Sequence, residues 1–168
     1  MPKLKATLSE DSIANLIDQL QEYKSKVESL EVNTTEKVTS RALNEIERNL
    51  FAVTDKDGNV DVSADSFTFG NSGFAYLTGS QAAYVEFGTG PKGAENPHPN
   101  AGENSWKYGT SGDGKIFTTK DGRIGWLYKD FETGRLRFTE GLSAQEVVLR
   151  ASESVKSEIP EIVKELLK

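Results

Sequence analysis

The sequence predicts a single-domain α+β protein. Three observations support this class: apolar residues recur at helical spacing over residues 8–54 and 143–168, they alternate with polar residues over residues 55–140, and turn signals divide the alternating region. The length of 168 residues fits one domain. The predicted fold is two N-terminal helices, an antiparallel β-sheet with a long inserted loop, and a kinked C-terminal helix packed on the sheet.

Residues 8–54 carry two apolar stripes of helical period. Ser9 is a candidate N-cap, and Asn33 followed by Glu36 indicates a second helix start. The first stripe comprises Ile13, Leu16, Ile17, Leu20, Tyr23, Val27 and Leu30, and the second comprises Val38, Ala42, Leu43, Ile46, Leu50 and Val53. The pattern predicts two helices, with one long helix broken near residues 32–35 as the alternative.

Residues 55–140 have the alternation that is typical of antiparallel strands. A first hairpin is predicted to turn at residues 70–73, and a second at Asp121-Gly122, which is a strong two-residue turn signal. A further strand follows the turn at residues 132–134. Residues 88–114 are rich in Gly, Pro and Asn and predict a long loop, which is uncommon in a compact domain unless it has a function.

Residues 143–168 predict a kinked amphipathic helix packed on the sheet. Ser143 with Glu146 has the pattern of a capping box at the helix start. Pro160 lies inside the apolar pattern and is expected to kink the helix or to restart it. The predicted buried stripe consists of Val148, Ala151, Val155, Ile159, Ile162 and Leu166.

The composition excludes several chemistries. The absence of cysteine excludes disulfides, thiolate zinc sites and cysteine nucleophiles, and the lone histidine, His98, excludes a multi-histidine metal site. His98 is expected to be a solvated loop residue. The net charge of −6 gives no global electrostatic signature of nucleic-acid binding. The apolar runs are too short for a membrane span, and the N-terminus predicts no signal peptide.

Three stretches imitate ligand-binding motifs. Residues 88–93 fit G-x-G-x-x-G, but the Pro-rich chain that follows cannot form the helix that holds a pyrophosphate. Residues 109–115 fit G-x-x-x-x-G-K, but Ile116 stands where the Mg²⁺-binding hydroxyl is needed. Residues 55–59 resemble part of a calcium-binding loop, but the residues at the first and last ligand positions of that loop cannot bind calcium. We therefore predict no catalytic, cofactor-binding or metal-binding residues.

The most distinctive segment spans residues 81–91 and reads QAAYVEFGTGP. It resembles the signature of the tail-completion, or putative tail-component, family of long-tailed bacteriophages, which is distantly related to phage lambda minor tail protein Z. The motif residues are Tyr84, Val85, Glu86, Phe87, Gly88, Thr89 and Gly90. The order of elements also resembles the family, with an aromatic strand at residues 125–128, a turn at residues 139–141 and a final helix. At the turn of residues 139–141 the family has Thr-Lys-Gly, whereas this chain has Thr-Glu-Gly.

The resemblance implies a structural virion protein that is not an enzyme and that acts in tail completion or head–tail joining at the neck. Such a subunit is expected to form a homo-oligomeric ring and to contact the neck connector and the tail terminator or tail-tube proteins, with no membrane partner. The expected location is the neck or head-proximal tail of the virion, and the host cytoplasm during assembly. An acidic protein also suits a channel through which DNA slides. The alternative is a small cytoplasmic ligand-binding module or hydrolase that uses the glycine-rich loop.

Two sets of residues are candidate interfaces. Residues 93–112 are predicted to be mobile in the free subunit and to order against a partner, because Trp106 and Tyr108 are typical interface anchors. The alternative is that Trp106 packs on its own domain. The second set, at the end of the chain, faces either a neighbour or the subunit's own sheet, and it comprises Ile162, Val163, Leu166 and Leu167. Glu86 is expected to cap backbone donors or to meet a neighbouring subunit.

Overall fold

The computed structural model describes residues 9–54, 61–109, 114–129 and 133–167. Over these ranges the chain combines α-helices with antiparallel sheets, so the predicted α+β class is confirmed. The helices are α1 (Glu10–Thr54), α2 (Ala82–Phe87), α3 (Gly90–Glu95) and α4 (Val147–Leu166). The strands are β1 (Ser63–Phe69), β2 (Ser72–Thr78), β3 (Phe117–Thr118), β4 (Ile124–Lys129) and β5 (Leu136–Thr139). Among the described helices, none has the length and apolar character that a membrane span requires.

α1 is one continuous helix of 45 residues. The predicted second helix start at Asn33 is therefore wrong, and so is the alternative break near residues 32–35. The sequence from Glu10 to Thr54 contains neither Pro nor Gly, so nothing interrupts the backbone hydrogen bonds of the helix. The hydroxyls of Thr34 and Thr39 donate to carbonyls four residues earlier, which satisfies these polar side chains inside the helix.

β1 and β2 form the first predicted hairpin, with Phe67 opposite Phe74 and the turn where it was expected. Residue 60, which opens the predicted strand pattern, lies outside the described residues. The hairpin packs closely on α1: a Cβ at Gly73 would overlap the Thr39 side chain, so only glycine permits this approach. The hairpin face that points away from α1 carries the larger aromatic side chains.

β3, β4 and β5 form a separate three-stranded antiparallel sheet. Thr118 lies opposite Ile124, which confirms the second hairpin. The Thr119 amide donates to the Arg123 carbonyl, so the loop consists of the three residues 120–122 and the predicted two-residue turn at Asp121-Gly122 is wrong. β5 pairs with β4, as predicted, although residues 130–132 of the connection lie outside the described residues. The region of predicted strands also contains the short helices α2 and α3, which the alternation did not predict.

α4 lies along α1, which corrects the prediction that it packs on the sheet. The Asn49 side chain donates to the Val147 carbonyl at the start of α4, at 3.1 Å, and Lys37 pairs with Glu165 near its end, at 2.6 Å. The two helices are therefore antiparallel. α1 lies between α4 and the β1–β2 hairpin, and the core where these elements and α2 meet consists of Ile46, Leu50, Val85, Val147 and Ala151.

The start of α4 differs from the prediction. Glu146 has a left-handed φ of 53° and makes no side-chain capping bond within the described residues, so Ser143 and Glu146 do not form a capping box. The helix begins at Val147, which is fully buried, whereas Ile159 of the predicted buried stripe is exposed. α4 also continues through Pro160 as one helix, so the predicted restart there is wrong.

Candidate functional site

The motif at residues 84–90 ends α2 and turns sharply into α3. Gly88 and Gly90 have φ values of 80° and 60°, a backbone region that glycine adopts without strain. A Cβ on Gly90 would overlap the Trp126 ring, and a Cβ on Gly88 would lie 2.6 Å from backbone atoms of residues 142–144. Both glycines are therefore required by close approach as well as by conformation.

The same turn is bonded to the segment that precedes α4. Thr89 exchanges two backbone hydrogen bonds with Leu142, at 2.7 and 3.1 Å. The amide of Gln145 donates to the Val85 carbonyl at 3.0 Å. The motif therefore fixes where the chain enters the last helix.

The Glu86 carboxylate caps α4 from a distant part of the chain. Its two oxygens accept the amides of Val148 at 2.8 Å and Leu149 at 3.1 Å, and the residue is 8% exposed. These amides belong to the first turn of α4 and have no partner within the helix. A carboxylate at this end also interacts favourably with the helix dipole. The expectation that Glu86 caps backbone donors is confirmed.

His98 is the third partner of this carboxylate. Its Nε2 lies 3.2 Å from Glu86 Oε1, and its Nδ1 accepts the Asn100 amide at 3.0 Å. Because Nδ1 is an acceptor, the network assigns the proton to Nε2, which then donates to Glu86. His98 is only 4% exposed, so the expectation of a solvated loop histidine is wrong.

An aromatic cluster packs against His98, and the Glu86–His98 pair also lines a groove of about 480 Å³ beside the start of α4. The Phe87 ring lies 4.6 Å from the His98 ring and is stacked 5.3 Å from Trp106. The edge of Trp106 also meets Tyr84 at 5.8 Å, and its Nε1 donates to the Gly88 carbonyl at 3.1 Å. Tyr84 and Phe87 share one face of α2 because they are three residues apart in a helix.

The region predicted as a long loop is folded onto the motif over its described part. It begins with α3, and the Tyr108 hydroxyl accepts the His98 amide at 2.9 Å. Ala101 is buried, and its carbonyl accepts the Trp106 amide at 2.9 Å. Both predicted anchors, Trp106 and Tyr108, therefore pack on their own domain, and the alternative interpretation of Trp106 is the correct one. Residues 110–112 lie outside the described residues.

The four candidate interface residues at the end of α4 do not share one surface. Ile162 is buried against α1, Val163 and Leu166 are half-buried, and Leu167 is 66% exposed. Leu166 and Leu167 border a groove of about 450 Å³ whose other wall belongs to α1. Ile162 therefore belongs to the contact with α1, whereas Leu167 is exposed enough to meet another molecule.

The backbone amides of the glycine-rich loop are engaged inside the fold. Across the described ranges, no group of three or more His, Asp or Glu side chains is placed to hold a metal ion. In the glycine-rich loop the amides of Gly90, Lys92 and Gly93 donate to the carbonyls of other residues at 3.0–3.2 Å. A phosphate would have to displace these internal bonds.

The Glu86 carboxylate, Gly88 and Gly90 hold α2 and α3 against the segment that precedes α4 and against the start of α4. Sequence reasoning missed His98 as a buried partner, and the prolines on both sides of it gave no signal of burial. Comparison of the chain with protein-family profiles, curated protein sequences and solved structures gives no match.

Proposed function

We propose that the chain is a structural virion protein of a long-tailed bacteriophage or prophage, acting in tail completion or head–tail joining at the neck as a ring-forming subunit. The observation that carries this proposal is the resemblance of residues 84–90 to the family signature. The geometry gives a physical reason why such a run can be a signature without being an active site. Its carboxylate, aromatic rings and glycines each have a structural partner inside the domain.

A role without enzymatic activity agrees with the chemistry of the described residues. The Glu86–His98 pair accepts backbone amides and packs against Phe87, so its groups are engaged in holding the fold, and both residues also line a groove of about 480 Å³ beside the start of α4. The alternative, a ligand-binding module or hydrolase, would use the glycine-rich loop, whose amides are already bonded to protein carbonyls.

The β1–β2 hairpin supplies the surface that we propose for the ring contact. Phe67 and Phe74 stack at 4.7 Å on its outer face and are half exposed, and Tyr76 meets Phe67 edge-on at 6.2 Å. Phe69 extends this face toward the turn and is even more exposed. Exposed aromatic patches of this kind mark protein–protein contacts. A closed ring requires a heterologous interface, in which this face meets a different surface of the neighbour.

The proposed partners are further copies of the chain, the neck connector, and the tail terminator or tail-tube proteins. The proposed location is the neck or head-proximal tail of the virion, and the host cytoplasm before assembly. The net charge of −6 suits a channel wall past which DNA moves without binding tightly.

The proposal is tested by deleting the gene from a phage that carries it. We expect DNA-filled heads and separate tails, or tails that are defective at the head-proximal end, and complementation by the wild-type gene on a plasmid. Complementation is expected to fail with the double variant Phe67→Ser, Phe74→Ser and to succeed with Val32→Ser, which changes an exposed apolar residue on α1. Normal yields of infectious particles from the deletion would contradict the proposal.

A second experiment separates the structural role from the alternative. The purified chain is examined for bound nucleotide by mass spectrometry and for hydrolysis of ATP and GTP. We expect neither, in the wild type or in Lys115→Ala. Hydrolysis that Lys115→Ala abolishes would favour the alternative.

A further inference from the structure

The N-terminal half of α1 has an apolar stripe that the rest of the described chain leaves uncovered except at its C-terminal end, where α4 approaches it. We use the name α1 stripe for Ile13, Leu16, Ile17, Leu20, Tyr23, Val27 and Leu30. Five of its members, all except Leu16 and Leu30, are between 45% and 49% exposed. The residues 13, 16, 20, 23, 27 and 30 alternate spacings of three and four, which is the a and d pattern of a coiled-coil seam. Such a seam is typical of a helix that packs against a second helix.

The α1 stripe continues the interface between α1 and α4. Further along α1, Lys37, Arg41 and Asn49 contact α4 and lie on the same side of the helix as the stripe, at 100° per residue. α4 ends beside the C-terminal end of the stripe, because Leu166 and Leu167 share a groove with Val27 and Leu30. One face of α1 is thus covered by a helix over its C-terminal half and uncovered over its N-terminal half.

We propose that a second copy of this chain covers the α1 stripe, with the two α1 helices antiparallel. In this pairing every a position meets a d position of the other copy. Ile13 packs on Leu30 of the second copy, Leu16 on Val27 and Leu20 on Tyr23, and the two-fold axis repeats these contacts. The stripe is therefore complementary to itself in one register, as an isologous interface requires.

The position of α4 favours the antiparallel orientation. In a parallel pair the second α1 would continue along the face that α4 already occupies beyond Asn33. In the antiparallel pair the second α1 passes the N-terminus of the first and meets no such obstacle. Its own N-terminus then points at the C-terminus of α4, so partial charges of opposite sign meet. Its Ile13 enters the groove of about 450 Å³ beside Leu30.

The charged residues beside the seam do not all favour this pairing, because Glu10 lies beside Glu31 of the second copy at each end of the pair. Next to the central layers, Lys24 lies beside Ile17 of the second copy and Lys26 beside Gln19. Neither lysine faces a like charge there. The proposed dimer is a two-fold contact that uses neither the hairpin face nor a heterologous ring contact. It therefore goes beyond the proposed function, and its experiments test it independently of that function.

Sedimentation of the purified full chain tests the proposal. We expect a species of twice the 18.4 kDa chain mass that dissociates on dilution. Leu20→Glu is expected to weaken association by about 100-fold or more, because each dimer loses two buried leucines and gains two buried charges. The matched control is Val32→Glu, since Val32 is 42% exposed on the opposite side of α1 and should leave association unchanged. Circular dichroism should show the wild-type helix content in both variants.

A wild-type chain that stays monomeric up to about 100 μM would overturn the proposal, since a specific interface of standard size gives micromolar or tighter association. Equal effects of Leu20→Glu and Val32→Glu would overturn it as well.

The orientation of the two helices is tested by disulfide cross-linking. The chain has no native cysteine, so every disulfide must form between introduced cysteines. Ile13→Cys and Leu30→Cys chains are mixed and oxidised. Within one helix these positions are about 26 Å apart, so a disulfide between the two variants requires antiparallel chains. We expect the mixed dimer to dominate. Disulfides between identical variants would show a parallel pair and refute the register, and the absence of any cross-link would refute the contact.

Discussion

Removal of the Glu86 carboxylate should destabilise the fold through the start of α4. Glu86→Ala leaves three donors without their acceptor: the amides of Val148 and Leu149 and the Nε2–H of His98. A buried donor that loses its partner costs about 1–3 kcal/mol. Water that enters the groove lined by Glu86 and His98 recovers part of this, so we expect a loss of about 3–5 kcal/mol. That is a large share of the roughly 5–15 kcal/mol that stabilises a domain.

Glu86→Gln should lose less, about 2 kcal/mol, because the amide keeps one acceptor oxygen but turns its NH₂ toward donors. The free energy of unfolding is measured in urea, together with hydrogen exchange at the Val148 and Leu149 amides. Glu95→Ala is the control, since Glu95 is exposed and should change stability by no more than about 0.5 kcal/mol. A loss below about 1 kcal/mol for Glu86→Ala, or unchanged protection of the two amides, would refute the capping role.

Three further outcomes are expected. Gly90→Ala should destabilise by about 2–4 kcal/mol, because the residue has a positive φ and its Cβ would overlap the Trp126 ring; a change under about 1 kcal/mol in urea unfolding would contradict this. Ile162→Ala should lower the free energy of unfolding by about 2–4 kcal/mol, because the residue packs on α1; a variant of wild-type stability would contradict this packing and favour Ile162 as an interface residue. The hydroxyl and amide of Ser80 lower the pKa of Asp61, so the stability that this carboxylate contributes is present near neutral pH and is lost as pH falls through its ordinary value and below. The stability difference between wild type and Asp61→Asn should therefore shrink between about pH 7 and about pH 3 in thermal melts, and a constant difference would contradict the pairing.

The parts of the fold that depend on neighbours in sequence could be predicted. The hairpin around Asp121-Gly122 follows from a dipeptide that favours tight turns, although its loop is one residue longer than predicted, and the β1–β2 hairpin follows from its alternation. The helix boundary near Asn33 was predicted wrongly because a capping pattern is permissive: it favours a helix start but does not break a helix that contains no Pro or Gly.

The parts that depend on distant contacts could not be predicted. The cap of α4 comes from Glu86, 62 residues before Val148, whereas the local pattern at Ser143 suggested a capping box. The burial of His98 likewise depends on a carboxylate from another element, and no local periodicity reports such a pair. The packing of α4 on α1 is of the same kind, because an apolar stripe shows that a face is covered but not by which element.

The distance in sequence between α1 and α4 also has a consequence for synthesis on the ribosome. Lys37 and its partner Glu165 are 128 residues apart, so α1 leaves the ribosome long before the helix that covers it exists. At roughly 5–20 residues per second, that interval is about 6–26 s. The C-terminal half of α1 is exposed to solvent and to chaperones for at least this time, whereas in the pairing that we propose the N-terminal half stays exposed until a second copy arrives.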